Sequence, residues 1–159
     1  MLDRAFLTCV ASTTRSLNPA VRFCKRDLFI NAAIELHDSK VKFIIQNNGS
    51  IVVELAAYVH HSDGRPGIDP GTGWTQPVRL TFLNATVRST LVKFPDTILD
   101  GLLTLSAAQF ENCFEVPSTH AGLTSLHLEF ANDVKVTIRG GGFQAECLGM
   151  PTFVEQFDP

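Results

Sequence analysis

Much of what usually announces a function is scarce in this chain. Its 159 residues include one tryptophan, one tyrosine and two methionines, and only 18% of them are charged. The formal net charge is -3 and the pI near 5.9. That balance lacks the basic stripe a general nucleic-acid binder needs to meet phosphates, so nucleic acid is not an expected partner. No apolar run approaches the roughly 18 residues of a membrane-spanning helix, which removes a helical membrane anchor from the expectations. The four cysteines, Cys9, Cys24, Cys113 and Cys147, show no C-x-x-C spacing. Neither a zinc ribbon nor a redox pair is indicated, and free thiols in a reducing cytoplasm are the expectation. Paired carboxylates are absent too, and no serine or cysteine nucleophile is placed beside a base.

What is present is enough for one core. Hydrophobic residues make up 45% of a 17.4 kDa chain, ample for a single domain without disulfide or metal staples. The charge divides unevenly. Residues 1–27 carry Arg4, Arg15, Arg22, Lys25 and Arg26 against Asp3 and Asp27, whereas the remainder is acidic. That opening segment also lacks the alternation seen downstream. Its composition has some transit-peptide character, and residues 1–29 are read as an N-terminal extension or arm, with residues 30–159 as a single β-domain. The sequons at Asn48 and Asn84 would matter only in a secreted protein.

From residue 36 a two-residue period sets in. "KVKFIIQ" puts Val41, Phe43 and Ile45 on one face, and "NNGS" then supplies a hairpin turn, with Gly49 tolerating positive φ. "SIVVELAAYVH" returns with Ile51, Val53, Leu55, Ala57 and Val59 in phase, and "QPVRLTFLNATV" aligns Val78, Leu80 and Phe82. "TSLHLEFA" and "VKVTIRG" repeat the logic around Asn132-Asp133. Gly140-Gly141-Gly142 reads as the end of that strand, with "FQAECLG" as a last short one. In "PDTILDGLLTLSAAQFENCF", Asp96 could cap a helix, but Gly101 interrupts it and "GLLTLS" fits a strand better. The expected fold is all-β and mainly antiparallel, with seven to nine strands and at most one short helix. A β-sandwich or strongly bent sheet built from two hairpin-rich halves satisfies the pattern.

Chemistry concentrates in "VHHSDGRPGIDPGTGW", residues 59–74. It lacks the Gly-Lys-Ser/Thr ending of a phosphate loop, and Pro66 and Pro70 remove amide donors. Read as a connection of about 14 residues, it is the foremost functional candidate, because long loops in compact domains carry function. His60, His61, Asp63, Arg65, Asp69 and Trp74 are its candidate binding residues. If the strand continues, His60 and His61 face opposite ways, so a metal set would be His61, Asp63 and Asp69. Elsewhere, His37 and Asp38 in "LHDS" could form a base and its orienter. The plainer reading is structural, Asp38 or Ser39 bonding a backbone amide at the strand's start. Cys113 with His120 or His127 is a conceivable thiol–imidazole pair, with nothing to depress the thiol.

The succession "LHDS", a hairpin, a loop ending in tryptophan, "FENCFEVP", "GLTSLHLEFANDVKVTIRGGGFQAECLG" and "FVEQF" resembles a group of small bacterial β-sheet domains. Some of these resemble the immunity proteins of polymorphic toxin systems. The likeness covers roughly residues 30–157. It implies an all-β fold without established catalytic residues, and structural roles for the matching His37, Asp38, Pro117, Gly122 and Phe157. The function expected is a non-catalytic, cytoplasmic binding module whose partner is another protein, of immunity or accessory type, with 59–74 as contact surface and no cofactor. The competing expectation is a metal-dependent or small-ligand enzyme centred on His60, His61, Asp63 and Asp69. A third is a structural subunit that pairs through β-edges into a homodimer.

Overall fold

The computed structural model describes residues 31–89 and 93–157, and the segment read as an extension, residues 1–29, lies outside them. The described residues form ten strands: β1 (Asn31–Asn47), β2 (Ser50–Ser62), β3 (Gly71–Leu83), β4 (Thr86–Ser89), β5 (Asp96–Leu105), β6 (Ala108–Glu111), β7 (Cys113–Glu115), β8 (Ser118–Phe130), β9 (Lys135–Cys147) and β10 (Thr152–Phe157). Every pairing is antiparallel. The helical content among them is one 3₁₀ turn, Ala131–Asp133, at the expected Asn132-Asp133 corner. Residues 96–105 are strand, so Asp96 caps no helix; its Oδ1 accepts from the Thr97 amide at 2.8 Å instead.

The sheet is a closed barrel, not a sandwich or an open bent sheet. Six strands follow one another around it in the order β1-β2-β3-β9-β8-β5, and β5 returns to β1. Alternation could not separate these architectures, because each buries one face of every strand. The decision lies in where long strands change partner. The free edge of β3 is shared: Gly71–Thr75 pair with β10, and Val78–Leu83 pair with β9. The edge of β1 is divided likewise, Ala33–Glu35 pairing with β7 and Lys40–Val41 with β5. Such staggering tilts the strands and lets the sheet close. The interior is filled by side chains. Val53, Leu55, Val78, Leu80, Phe82, Leu126, Leu128 and Ile138 are fully buried, and Phe143 packs against Phe82 and Phe114 with ring centroids 5.2 and 5.9 Å apart.

Three local readings need correction. The phase of β1 slips between Val41 and Phe43, so Ile44 leans on the core and Ile45 is 51% exposed instead of sharing the face of Val41. A bulge adds one residue to one strand and inverts every later side chain. The glycines at 140–142 do not end a strand. β9 runs through them and changes partner there, from β4 over Val136–Arg139 to β3 over Gly142–Cys147. A Cβ on Gly140 would stand 2.8 Å from the Leu83 carbonyl oxygen, so the missing side chain lets two backbones approach. The strand count also exceeds the seven to nine expected, since β4, β6 and β7 are only three or four residues long.

The "LHDS" stretch sits at the barrel's seam. Between the pairs Glu35↔Tyr58 and Lys40↔Ala56, β1 bulges outward with Asp38 at φ 66. Buried Ser39 mends the ladder, accepting from the Tyr58 amide at 3.0 Å and donating to the Glu35 carbonyl. His37 Nδ1 lies 2.6 Å from the Leu99 carbonyl oxygen, a contact that raises the imidazole's pKa, with Asp38 adding to it. Asn112 closes the gap: its backbone accepts from Leu36 and donates to Gly101, and its side chain joins the Gly101 amide to Asp100. At the other end Asn48 and Gly49, with φ of 46 and 79, make the β1–β2 turn.

Candidate functional site

Most of the 59–74 stretch is strand. β2 runs to Ser62 and β3 starts at Gly71, with Ser62↔Gly71, His60↔Gly73 and Val59↔Trp74 in register, so the connection is residues 63–70. The glycines that read as loop residues instead permit close approach. A Cβ on Gly71 would lie 2.2 Å from the His61 carbonyl oxygen, and one on Gly73 would lie 1.9 Å from the Tyr58 hydroxyl. Tyr58 uses that space to cross β3 and donate to Glu155 on β10 at 2.6 Å.

The connection itself is tied internally. The Arg65 amide donates to Asp69 Oδ2 at 2.7 Å, and the guanidinium reaches both carboxylate oxygens at 3.3 Å. These bonds, the side-chain one first, hold the Asp69 carboxyl below its ordinary range. Ser62 Oγ donates to the Pro70 carbonyl, and Asn31 donates to the Gly64 carbonyl at 2.7 Å. Asp63 is exposed. Between this connection and β6–β7 lies a groove of about 520 Å3, lined by Arg65, Ile68, Phe110, Cys113 and Glu115 among others.

The two histidines part as the strand period requires. Leu55, Ala57 and Val59 are buried inward, so His61 continues the inner face and His60 lies outside. His60 Nε2 is 2.6 Å from Glu35 Oε2, and its ring packs edge-on against Tyr58 and Phe157 at 5.0 and 5.3 Å. Its Nδ1 is buried without a hydrogen-bond partner. Burial first, then the bond to Glu155, pushes the Tyr58 hydroxyl well above its ordinary pKa. On the other face His61 stacks on Trp74 at 5.8 Å, and Trp74 meets Phe153 edge-on at 5.2 Å. The Trp74 indole donates to Thr72 Oγ1 at 2.8 Å. This aromatic row lies where β3, beside β2, pairs with β10 instead of β9, on the extension of the sheet past the ring's closure.

The structure therefore does not bring His61, Asp63 and Asp69 together: one stacks on an indole, one is exposed, and one is bound to Arg65. Among the described residues no three His, Cys, Asp or Glu side chains gather as a metal set. The conceivable thiol–imidazole pair is likewise apart in its bonding. His120 meets Ser106 Oγ at 3.0 Å, His127 meets Thr137 and Glu129, and burial, then Glu35, raises the Cys113 thiol. Sequence reasoning missed Glu35, Tyr58, Phe153 and Glu155, and named Phe157 only through the resemblance, in a structural role. Parity would have set Tyr58 beside His60, but β10 reaches β3 from far along the chain, and no local pattern announces that.

Phe153 is 53% exposed and Val154 47%, with Met150 beside them in sequence also exposed. β10 pairs on one edge only, with β3, among the described residues. No helix among those residues is long and apolar enough to cross a membrane. No family model, curated protein or solved structure matches the chain.

Proposed function

We propose that the protein is a non-catalytic protein-binding module, and that its contact surface is the sheet extension built from the ends of β2 and β3 together with β10. The partner is an extended polypeptide segment that adds to the open edge of β10 and lays an apolar side chain on Phe153. The observation that carries this reading is the aromatic row His61–Trp74–Phe153 next to a strand that, among the described residues, has one open edge. An unpaired edge offers N–H and C=O groups at strand spacing, and strand addition draws affinity from them and specificity from flanking side-chain contacts. β10, "TFVEQF", carries neither lysine nor proline on that edge, and its ladder with β3 bulges between Phe153 and Glu155. The polar side chains nearby are engaged with one another, Glu35 with His60 and Asp69 with Arg65, which suits a scaffold better than a reaction centre.

Selection from a displayed library of random peptides on the immobilised full chain tests it. Peptides with alternating apolar residues should emerge, shift the emission of Trp74, the sole tryptophan, and lose binding at least about tenfold with F153D. Selected peptides insensitive to F153D, or none at all, would overturn the reading. A concentration-dependent dimer abolished by F153D would assign the edge to a second copy of the chain instead.

A further inference from the structure

We propose that the outer face of β4, β8 and β9 carries a second site, one that binds the tetrahedral oxyanion of a small phosphate monoester through Arg139 with Arg88 beside it. The chain is acidic overall, and its other well-placed arginines are spent on carboxylates: Arg65 on Asp69, and Arg79 on Glu54 and Glu146. Arg88 and Arg139 have no ion pair among the described residues, and both are exposed. Register sets them side by side. Arg139 is opposite Thr86 and Arg88 opposite Thr137, so the two arginines are diagonal neighbours across one strand pair. Buried Val136 and Ile138 point inward, which turns Thr137 and Arg139 outward. Diagonal positions stand roughly 7–8 Å apart, a gap that two guanidinium side chains can span toward one anion.

Hydroxyls complete the arrangement. Ser125 is opposite Arg139, and Thr104 is opposite Ser125, forming an outer row across β5, β8 and β9. A cavity of about 220 Å3 is lined there by Thr104, Ser106, Leu123, Ser125, Arg139 and Gly140. Thr124 borders the same cavity and is 5% exposed, but it alternates in phase with buried Leu126 and Leu128, so its unpartnered Oγ1 lies on the inner face and adds no donor to the outer row. Ser106 is held 3.0 Å from His120 Nε2. A guanidinium offers two parallel donors, and the hydroxyls add single donors from other directions. A planar carboxylate would use the fork and leave the hydroxyls idle; a phosphate has oxygens enough for both. Glu129, further along the outer face of β8, is paired with Lys135 at 2.7 Å and bonded to His127. Leu123, 79% exposed, gives the ester's organic part an apolar wall.

The test is isotope-edited NMR on the full chain, titrated with phenyl phosphate and separately with inorganic phosphate, against chloride at matched ionic strength. Saturable shifts at the Thr104, Ser125 and Arg139 amides are expected, weakened roughly tenfold or more by R139Q and less by R88Q. R139K should recover part of the affinity, since it restores charge without the fork. Tighter binding of phenyl phosphate supports an ester as ligand, whereas equal binding supports free phosphate in the same site. Non-saturating shifts like those of chloride, or saturable binding that both R139Q and R88Q leave unchanged, would overturn the proposal. F153D should leave these titrations unmoved, so this site and the β10 surface stand or fall separately.

Discussion

Tyr58 is the sole tyrosine, so its ionisation can be followed directly by phenolate absorbance. Its hydroxyl is both partly buried and committed to Glu155, and both circumstances favour the neutral phenol. A folded pKa above the unfolded value near 10.0 means the associated stability is fully present below pH 10 and is lost as pH rises beyond it. The native chain should therefore ionise its tyrosine well above the ordinary value, and Glu155→Gln should bring the transition part of the way down. The fall is partial because burial, the largest single cause, remains in the variant. A native titration at the ordinary value would show that Tyr58 does not cross β3 to β10. None of this was visible from the tyrosine itself. In "ELAAYVHHS" it reads as one more outward residue on an alternating strand, and Gly73, which makes room for it, lies on the next strand.

At the scale of the element, alternation located the strand cores well and their irregularities poorly. Burial alternates without interruption from Ile51 to Val59 in β2, from Gln76 to Phe82 in β3 and from Thr124 to Phe130 in β8. The buried apolar residues there are the ones the pattern picks out. β1 does not behave this way, because its two register shifts move side chains between faces, and bulges leave no local mark in the pattern. The larger shift is bridged by Asn112 from the "FENCF" stretch, so two motifs that look unrelated in the sequence meet at one joint. Asn112 sits at φ 54, where asparagine is tolerated and alanine strained. Asn112→Ala removes the acceptor of the Gly101 amide and adds that strain, so it should destabilise the barrel by about 2–4 kcal/mol in urea unfolding. Asn112→Gly loses the same hydrogen bonds but accepts the backbone angle and should cost less. Equal losses in the two variants would remove the backbone from the explanation.

Closure belongs to the whole molecule, and it was the least legible feature. Two contacts make the ring, β3 with β9 and β1 with β5, and each joins segments far apart in the sequence. A period of two says which face is buried but not which edges meet, so sandwich, bent sheet and barrel satisfy it equally. The two contacts are also unequal. β3 and β9 share a continuous ladder from Val78↔Cys147 to Leu83↔Gly142, whereas β1 and β5 are paired only at Lys40↔Thr97 and Val41↔Asp96. Opening the ring at the second place breaks few backbone bonds, and the packed strands on either side of it can stay intact. Local opening takes the path with fewest bonds and least buried apolar surface to expose. Native-state hydrogen exchange should therefore rank the molecule in three tiers. Amides of Val53, Leu80, Leu126 and Ile138 should be slowest, those of Lys40 and Val41 at the seam faster, and those of β4, β6, β7 and β10, each paired on one edge among the described residues, fastest among the strands. Seam amides as slow as those of β8 and β9 would mean that the ring opens only by global unfolding. In that case the Asn112 bridge holds the closure as firmly as a full ladder would.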